Sequence, residues 1–167
     1  MEIKTPRLTI GNFTLQMAES VHKASIDDDN RRFMPDEVFD TTEIAKEVLS
    51  ELIENYNSGE SPLVYPILLN DCCHIGHIEA VEIDRGWELG YHIAKEHTKK
   101  GYASEAVKAF LPVIAEQLKI DKIYGICDAD NLASRKVMEK CGFVLEFDGI
   151  GPYHGGEAHI RRYVYTF

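Results

Sequence analysis

Positive charge is scarce in this chain: 18 Lys and Arg stand against 28 Asp and Glu in 167 residues, a formal net charge of −10. That balance counts against a nucleic-acid-binding surface and is compatible with a cationic partner, although an acidic surface also serves solubility alone. Long hydrophobic runs are missing as well. No stretch approaches the roughly 20 apolar residues that span a bilayer, and the amino terminus lacks a basic segment followed by an apolar core, so a cytoplasmic protein without membrane contact is expected. Cysteine is limited to Cys72, Cys73, Cys127 and Cys141, whose spacing is not that of a disulfide framework, and reduced thiols are expected. Cys72, Cys73, His74 and His77 could suggest a metal site, but no second paired-ligand element follows them, and no metal is expected. Two phosphate-binding signatures are absent, G-x-x-x-x-G-K-[ST] and G-x-G-x-x-G. There is no internal repeat, linker or low-complexity tail, so residues 1–167 are expected to form a single domain with a sizeable core.

What is present is a clear alternation of strand and helix signals. Leu8-Thr9-Ile10 alternates as a strand, and an amphipathic segment begins near Met17. Ile44, Val48, Leu52 and Tyr56 recur every four residues, with Ala45, Leu49 and Ile53 widening the stripe; this predicts a helix from about Thr42 to Asn57, capped by Thr41 or Thr42 and ended by Asn57-Ser58-Gly59. Strands are predicted over Val64–Leu69, His74–Ile83 and Trp87–Ile93, joined by Asn70-Asp71 and Asp84-Arg85-Gly86 as an antiparallel meander. A helix carrying Ala103, Val107, Leu111, Ile114 and Leu118 on one face follows, with Pro112 expected to kink it. Ile123–Cys127 reads as a strand, a helix starts after Asn131 and ends at Gly142, and two strands, Phe143–Phe147 and Ile160–Tyr165, flank a Gly-rich hairpin or bulged loop. This order predicts a mixed α/β sandwich with helices on both faces of the sheet.

The most informative junction is the strand ending at His92-Ile93, which runs through Lys99-Lys100-Gly101-Tyr102-Ala103-Ser104 into a helix. Free N–H groups and the positive end of the helix dipole converge there, as an anion site requires. The loop resembles the pyrophosphate loop of the GNAT superfamily of N-acetyltransferases, Q/R-x-x-G-x-G/A, with Thr98 in place of the usual Gln or Arg. A second motif follows in the expected order: Asn131 through Phe143 resembles N-x-x-S-x-x-x-x-E-K-x-G-F. Thr5-Pro6-Arg7-Leu8 and Ile75-Gly76-His77-Ile78 extend the likeness across nearly the whole chain, toward the branch of the ribosomal-protein N-terminal acetyltransferases RimJ and RimL.

The resemblance implies a largely antiparallel sheet splayed near its middle, flanked by helices. It also implies direct transfer of acetyl from acetyl-CoA to a primary amine, without a covalent intermediate. The acceptor it implies is a protein or peptide N-terminal α-amine; a small amine such as a polyamine, amino sugar or amino acid is the alternative, and an acyl-CoA sensor without turnover is a third reading. Lys99, Lys100, Gly101, Tyr102, Ala103 and Ser104 would hold pyrophosphate through backbone N–H groups, and the backbone of His92 and Ile93 would pair with pantetheine amides. Asn131 would cap its helix and face the CoA arm. Ser134 would donate to the CoA sulfur, because the position at which many relatives carry an acidic Tyr is Met138 here. Glu88 is the leading base, Glu79 the second, and His154 and His159 are further candidates in the closing segment. Asp27 to Phe39, with Arg31, Arg32, Phe33, Met34 and Pro35, is expected to border the acceptor pocket, in a monomer or homodimer.

Overall fold

The computed structural model describes all residues, 1–167. Short strands β1 (Ile3–Lys4) and β2 (Leu8–Ile10) precede helices α1 (Ala18–Ser25), α2 (Asp28–Phe33) and α3 (Thr42–Ser58). Strands β3 (Leu63–Leu69), β4 (His74–Ile83) and β5 (Gly86–Ile93) then lead to α4 (Tyr102–Leu118), β6 (Lys122–Asp128) and α5 (Leu132–Lys140). The long hairpin β7 (Val144–Tyr153) and β8 (Gly156–Thr166) closes the chain. All eight strands form one sheet in the order β1-β2-β3-β4-β5-β6-β8-β7. Every neighbouring pair is antiparallel except β5 and β6, which run parallel. No helix is long and apolar enough to cross a membrane.

Helices cover both faces. On one face α4 and α5 bury Val107, Phe110, Ile114 and Met138 against Ile67, Ile78, Leu89 and Ile123. On the other, α1 and α3 bury Val21, Ala45 and Leu49 against Phe13 and Val64. Strand alternation makes this division: in the β4–β5 register Ile78 faces Tyr91 and Ala80 faces Leu89, while His77 faces His92 and Glu79 faces Gly90 on the opposite side.

Helix α3 starts and stops as its residues dictate. The Thr41 side chain accepts from the Ile44 N–H, and Gly59 takes the left-handed conformation (φ 74°) that ends the helix. Its buried stripe is centred on Ala45 and Leu49, with Ile44 left exposed. Helix α4 runs unbroken through Pro112, which lies on its exposed side, where water can satisfy the carbonyl it leaves free. Two other stretches take more definite form than expected. The segment after Met17 is two helices, with Asp27 capping the second. The Gly149-Ile150-Gly151-Pro152 stretch is strand rather than loop: it belongs to β7, which lies at the sheet edge, where a proline costs no ladder bond. The turn is confined to His154-Gly155, both at positive φ.

Candidate active site

Between β5 and α4 the chain makes a turn at Lys95–His97 and then a tight loop in which Lys99 (φ 62°) and Gly101 (φ 84°) both adopt the left-handed conformation. Gly101 occupies the cap position of α4 without any side-chain cap, and no backbone acceptor takes an N–H from Lys99 to Ser104. This is a concave row of free donors at the positive end of a helix. The Lys100 ammonium turns back to the Glu96 carbonyl (3.0 Å), and the Thr98 hydroxyl donates to the Lys95 carbonyl (2.8 Å). The donors offered to an anion here are therefore mainly backbone.

The amino-terminal segment fixes this loop. Arg7 donates through Nε to the Glu105 carboxylate (2.6 Å) and through Nη1 to the Lys100 carbonyl (2.9 Å), and its guanidinium lies 4.6 Å from the Tyr102 ring centroid. Thr5 donates to the other Glu105 oxygen at 2.6 Å. Arg7 thus neutralises a carboxylate in the first turn of α4 and buttresses the loop from behind.

Next to the loop the sheet opens. Strands β5 and β6 pair at one position only, Glu88 with Tyr124. Past it the strands diverge, leaving one edge of Leu89–Ile93 without a ladder partner, as an extended amide-bearing ligand requires. The resulting cleft has a volume of about 690 Å³ and runs from Lys99 and Lys136 at one end to Asp27 and Glu37 at the other. The Asn131 carboxamide accepts from the Ser134 N–H (3.0 Å), which places the Ser134 hydroxyl at the gap. The Tyr91 hydroxyl lies 3.0 Å from both the Ser134 carbonyl and the Ser134 Oγ, so β5 and α5 are tied together across the opening. Burial pushes the Tyr91 phenol up, and pushes the Cys127 thiol, which also lines the cleft, up to about 11. Met138 is buried against Gly125, where a Cβ would stand 2.8 Å from its sulfur.

The face away from α4 carries different chemistry. Glu88, Glu79, His77 and His92 all project from it, joined by Glu37 and Asp27 from the α2 region. Burial raises the Glu88 carboxyl to about 7, although the Ile126 N–H and His154 favour its ionised form. Burial first, and then the Glu37 charge, holds Glu79 well above the carboxylate range. The Glu79 carboxylate lies over Gly90, where any Cβ would collide with it. His77 Nε2 is 2.9 Å from Glu37, and His92 Nε2 is 3.6 Å from Asp27. Burial disfavours charge on His77, but Glu37 and Glu79 outweigh it and raise its pKa; burial and His77 together lower His92 to about 4.

The tip of the β7–β8 hairpin reaches this end of the cleft. Tyr153 donates to the Phe33 carbonyl (3.2 Å); His154 meets the same carbonyl through Nε2 (3.0 Å) and Asp36 through Nδ1 (2.7 Å). Both ring nitrogens thus lie against oxygen atoms of the α2 region. His159 is instead paired with Asp148 on the outer part of the hairpin, outside the cleft. Of the segment expected to border the acceptor, Asp27, Phe33, Met34 and Glu37 line the cleft; Arg31 and Arg32 pair outward with Asp40 and Asp130. Cys72 and Cys73 are exposed, and the residues that do converge with His77 are Glu37 and Glu79, their ligand atoms within 4.8 Å of one another.

A cradle of backbone donors, a splayed parallel strand pair and a motif helix opposite it define an acyltransferase class, and comparison with known proteins agrees. Residues 7–144 match the family described as an acetyltransferase (GNAT) domain, and the chain belongs to this family of N-acetyltransferases. It is 32% identical over 149 residues to the uncharacterized N-acetyltransferase YnaD of Bacillus subtilis, covering 87% of this chain and 84% of that one. A GNAT-family acetyltransferase from Bacillus anthracis superposes with a TM-score of 0.82 at 29% identity, covering 99% and 98% of the two chains. The fold is also that of RimL, the ribosomal L7/L12 alpha-N-protein acetyltransferase solved with coenzyme A, with a TM-score of 0.84 at 18% identity over 99% and 98%.

Sequence reasoning passed over Tyr91 and Arg7 as working parts, and placed Asp27 and Glu37 near the acceptor only as members of the Asp27 to Phe39 segment, without a role of their own. Strand alternation could have flagged Tyr91, since it puts that hydroxyl on the face opposite Glu88. The placement of Arg7, Asp27 and Glu37 depends on contacts between segments remote in sequence, and no local signal marks it.

Proposed function

We propose that the protein transfers acetyl from acetyl-CoA directly to a primary amine, taking as acceptor the α-amine of a peptide or protein N-terminus. The observation that carries this reading is the placement of Glu88 at the closed end of the splay, on the opposite face from the Tyr91–Ser134 pair. Pyrophosphate binds the N–H row from Lys99 to Ser104, and pantetheine lies along the free edge at His92 and Ile93, with Asn131 and Ser134 opposite. An α-ammonium, whose ordinary pKa is near 8, loses its proton to Glu88, directly or through water. The amine lone pair attacks the thioester carbonyl, the C–S bond breaks, the proton that the acylated nitrogen sheds passes to the departing thiolate, and Ser134 stabilises that thiolate while Tyr91 holds the serine in position. A carboxyl with a pKa of about 7 is suited to this exchange near neutral pH.

A small-amine acceptor is the second reading, favoured by the acidic residues at the far end of the cleft. Loss of thioester absorbance with a peptide beginning Ser or Ala, set against spermidine, an amino sugar and free amino acids, tests the assignment. Turnover with the peptide supports the N-terminal reading. Turnover confined to a small amine moves the protein to the second, and loss of Glu88 or Ser134 without loss of turnover overturns the site.

A further inference from the structure

The cleft is electrically two-ended. Lys95, Lys99, Lys136 and Lys140 line the end next to the pyrophosphate loop; Asp27, Glu37, Glu79 and Glu88 line the other, which contains no Lys or Arg. Acetyl transfer to a simple amine needs one carboxylate there, and Glu88 fills that need. The remaining three are held in place independently. Asp27 is fixed as the cap of α2, its side chain accepting from the Asn30 N–H at 2.8 Å. Glu37 is carried by the Pro35–Glu37 turn. Glu79 is seated in the space that Gly90 leaves open.

The partners the cleft itself offers these three carboxylates are two imidazoles, His77 beside Glu37 and His92 beside Asp27, with no Lys or Arg. Glu79 is half-buried, and its carboxylate, within 4.8 Å of the nearest Glu37 and His77 ligand atoms, forms no hydrogen bond or ion pair. His77 Nε2 lies 2.9 Å from a Glu37 oxygen, and Glu37 and Glu79 together favour its charged form, so one imidazolium faces three carboxyl groups. The other imidazole, His92, is kept neutral by burial. Ionising these carboxyls together in a partly desolvated pocket is costly, and a bound cation offsets that cost.

We infer that Asp27, Glu37 and Glu79 form a second cation subsite, which holds a positive group of the acceptor beyond the amine being acetylated. The inference rests on the acetyltransferase reading above and deepens it by naming the acceptor class: a dication, whose second charge belongs either to a small diamine or to a basic residue following a peptide N-terminus. The same field disfavours an acceptor carrying a carboxylate near its amine, such as a free amino acid.

The test uses the full chain, treated with EDTA, at saturating acetyl-CoA and low salt. Two matched pairs are compared: 1,4-diaminobutane with n-butylamine, and the peptide Ser-Lys-Ala-Ala with Ser-Glu-Ala-Ala. The dicationic member of at least one pair is expected to have a kcat/KM about tenfold higher or more, with the advantage shrinking as NaCl is raised. The pair that shows it identifies the source of the second charge. In the isosteric double variant Asp27→Asn, Glu37→Gln, which retains the helix cap, the ratio falls toward one. Equal use of both members in both pairs, or a ratio unchanged in the variant, overturns the subsite while leaving the acetyltransferase assignment standing. If no acceptor turns over, calorimetry on the acetyl-CoA complex decides: dication-selective binding supports the subsite and overturns the proposed activity, and unselective binding overturns both. Activity that requires added Zn²⁺ or Mn²⁺ makes the cluster a metal centre and overturns the inference.

Discussion

Replacing Glu88 with Gln removes a carboxyl whose ionisation burial opposes, so the variant is expected to lose activity and gain stability in a pH-dependent way. The group titrates at about 7 in the folded protein against an ordinary 4.5. Below 4.5 the carboxyl is protonated folded and unfolded, and contributes nothing. Between 4.5 and 7 the folded state binds the extra proton, so stability falls as pH rises, and above 7 the full cost of burying the anion is present. At about 1.4 kcal/mol per pKa unit that cost is about 3 kcal/mol, and the residual hydration of a half-buried carboxylate reduces it to about 2 kcal/mol. For a domain of this size the amide is expected to raise Tm by about 4–8 °C at pH 8.5. At pH 4 the two proteins should melt within a degree or so of each other. Activity moves the other way: kcat/KM should fall about 10²-fold or more, and the limb near pH 7 should vanish from the pH profile, leaving only the ionisation of the amine. Differential scanning calorimetry at the two pH values, with steady-state kinetics across the range, reads both effects. A Tm gain that does not depend on pH, or a limb near pH 7 that survives in the variant, refutes the reasoning.

Further outcomes follow from the same geometry. Arg7→Ala should weaken acetyl-CoA binding about tenfold by calorimetry with kcat little changed, because it releases the Glu105 carboxylate and the Lys100 carbonyl that hold the donor loop; Arg7→Lys should rescue little, lacking the fork that makes both contacts. Ser134→Ala should lower kcat about 10²-fold while the acetyl-CoA dissociation constant stays put, and Tyr91→Phe should cost about tenfold, the worth of one hydrogen bond that positions the serine. Gly125→Ala should destabilise by about 1–3 kcal/mol in urea unfolding, since the added carbon meets the buried Met138 sulfur at 2.8 Å.

The parts of this protein written in consecutive residues were legible from the start. The period of α3, its Thr41 cap and Gly59 stop, the β3–β5 meander and the Gly101 helix entry depend on backbone preferences and hydrophobic spacing acting over a few residues. Local signals also mislead where context overrides them. Gly149 to Pro152 reads as a loop, yet pairing with β8 makes it strand.

The donor loop and the Asn131 cap of Ser134 were determined by the sequence itself, since each is a short segment satisfying its own backbone groups. The acidic end of the cleft was decided only by the tertiary structure. Glu79 and Glu88 share a face because the β4–β5 register sets Val81 opposite Glu88 and Glu79 opposite Gly90, and a slip of one residue would turn them apart. Asp27 and Glu37 join them through the packing of the α2 region over that face, and Arg7 reaches Glu105 across 98 residues of chain. Burial then moves Glu88 to about 7, which no reading of neighbouring residues contains, because the shift arises from the water that the folded chain excludes.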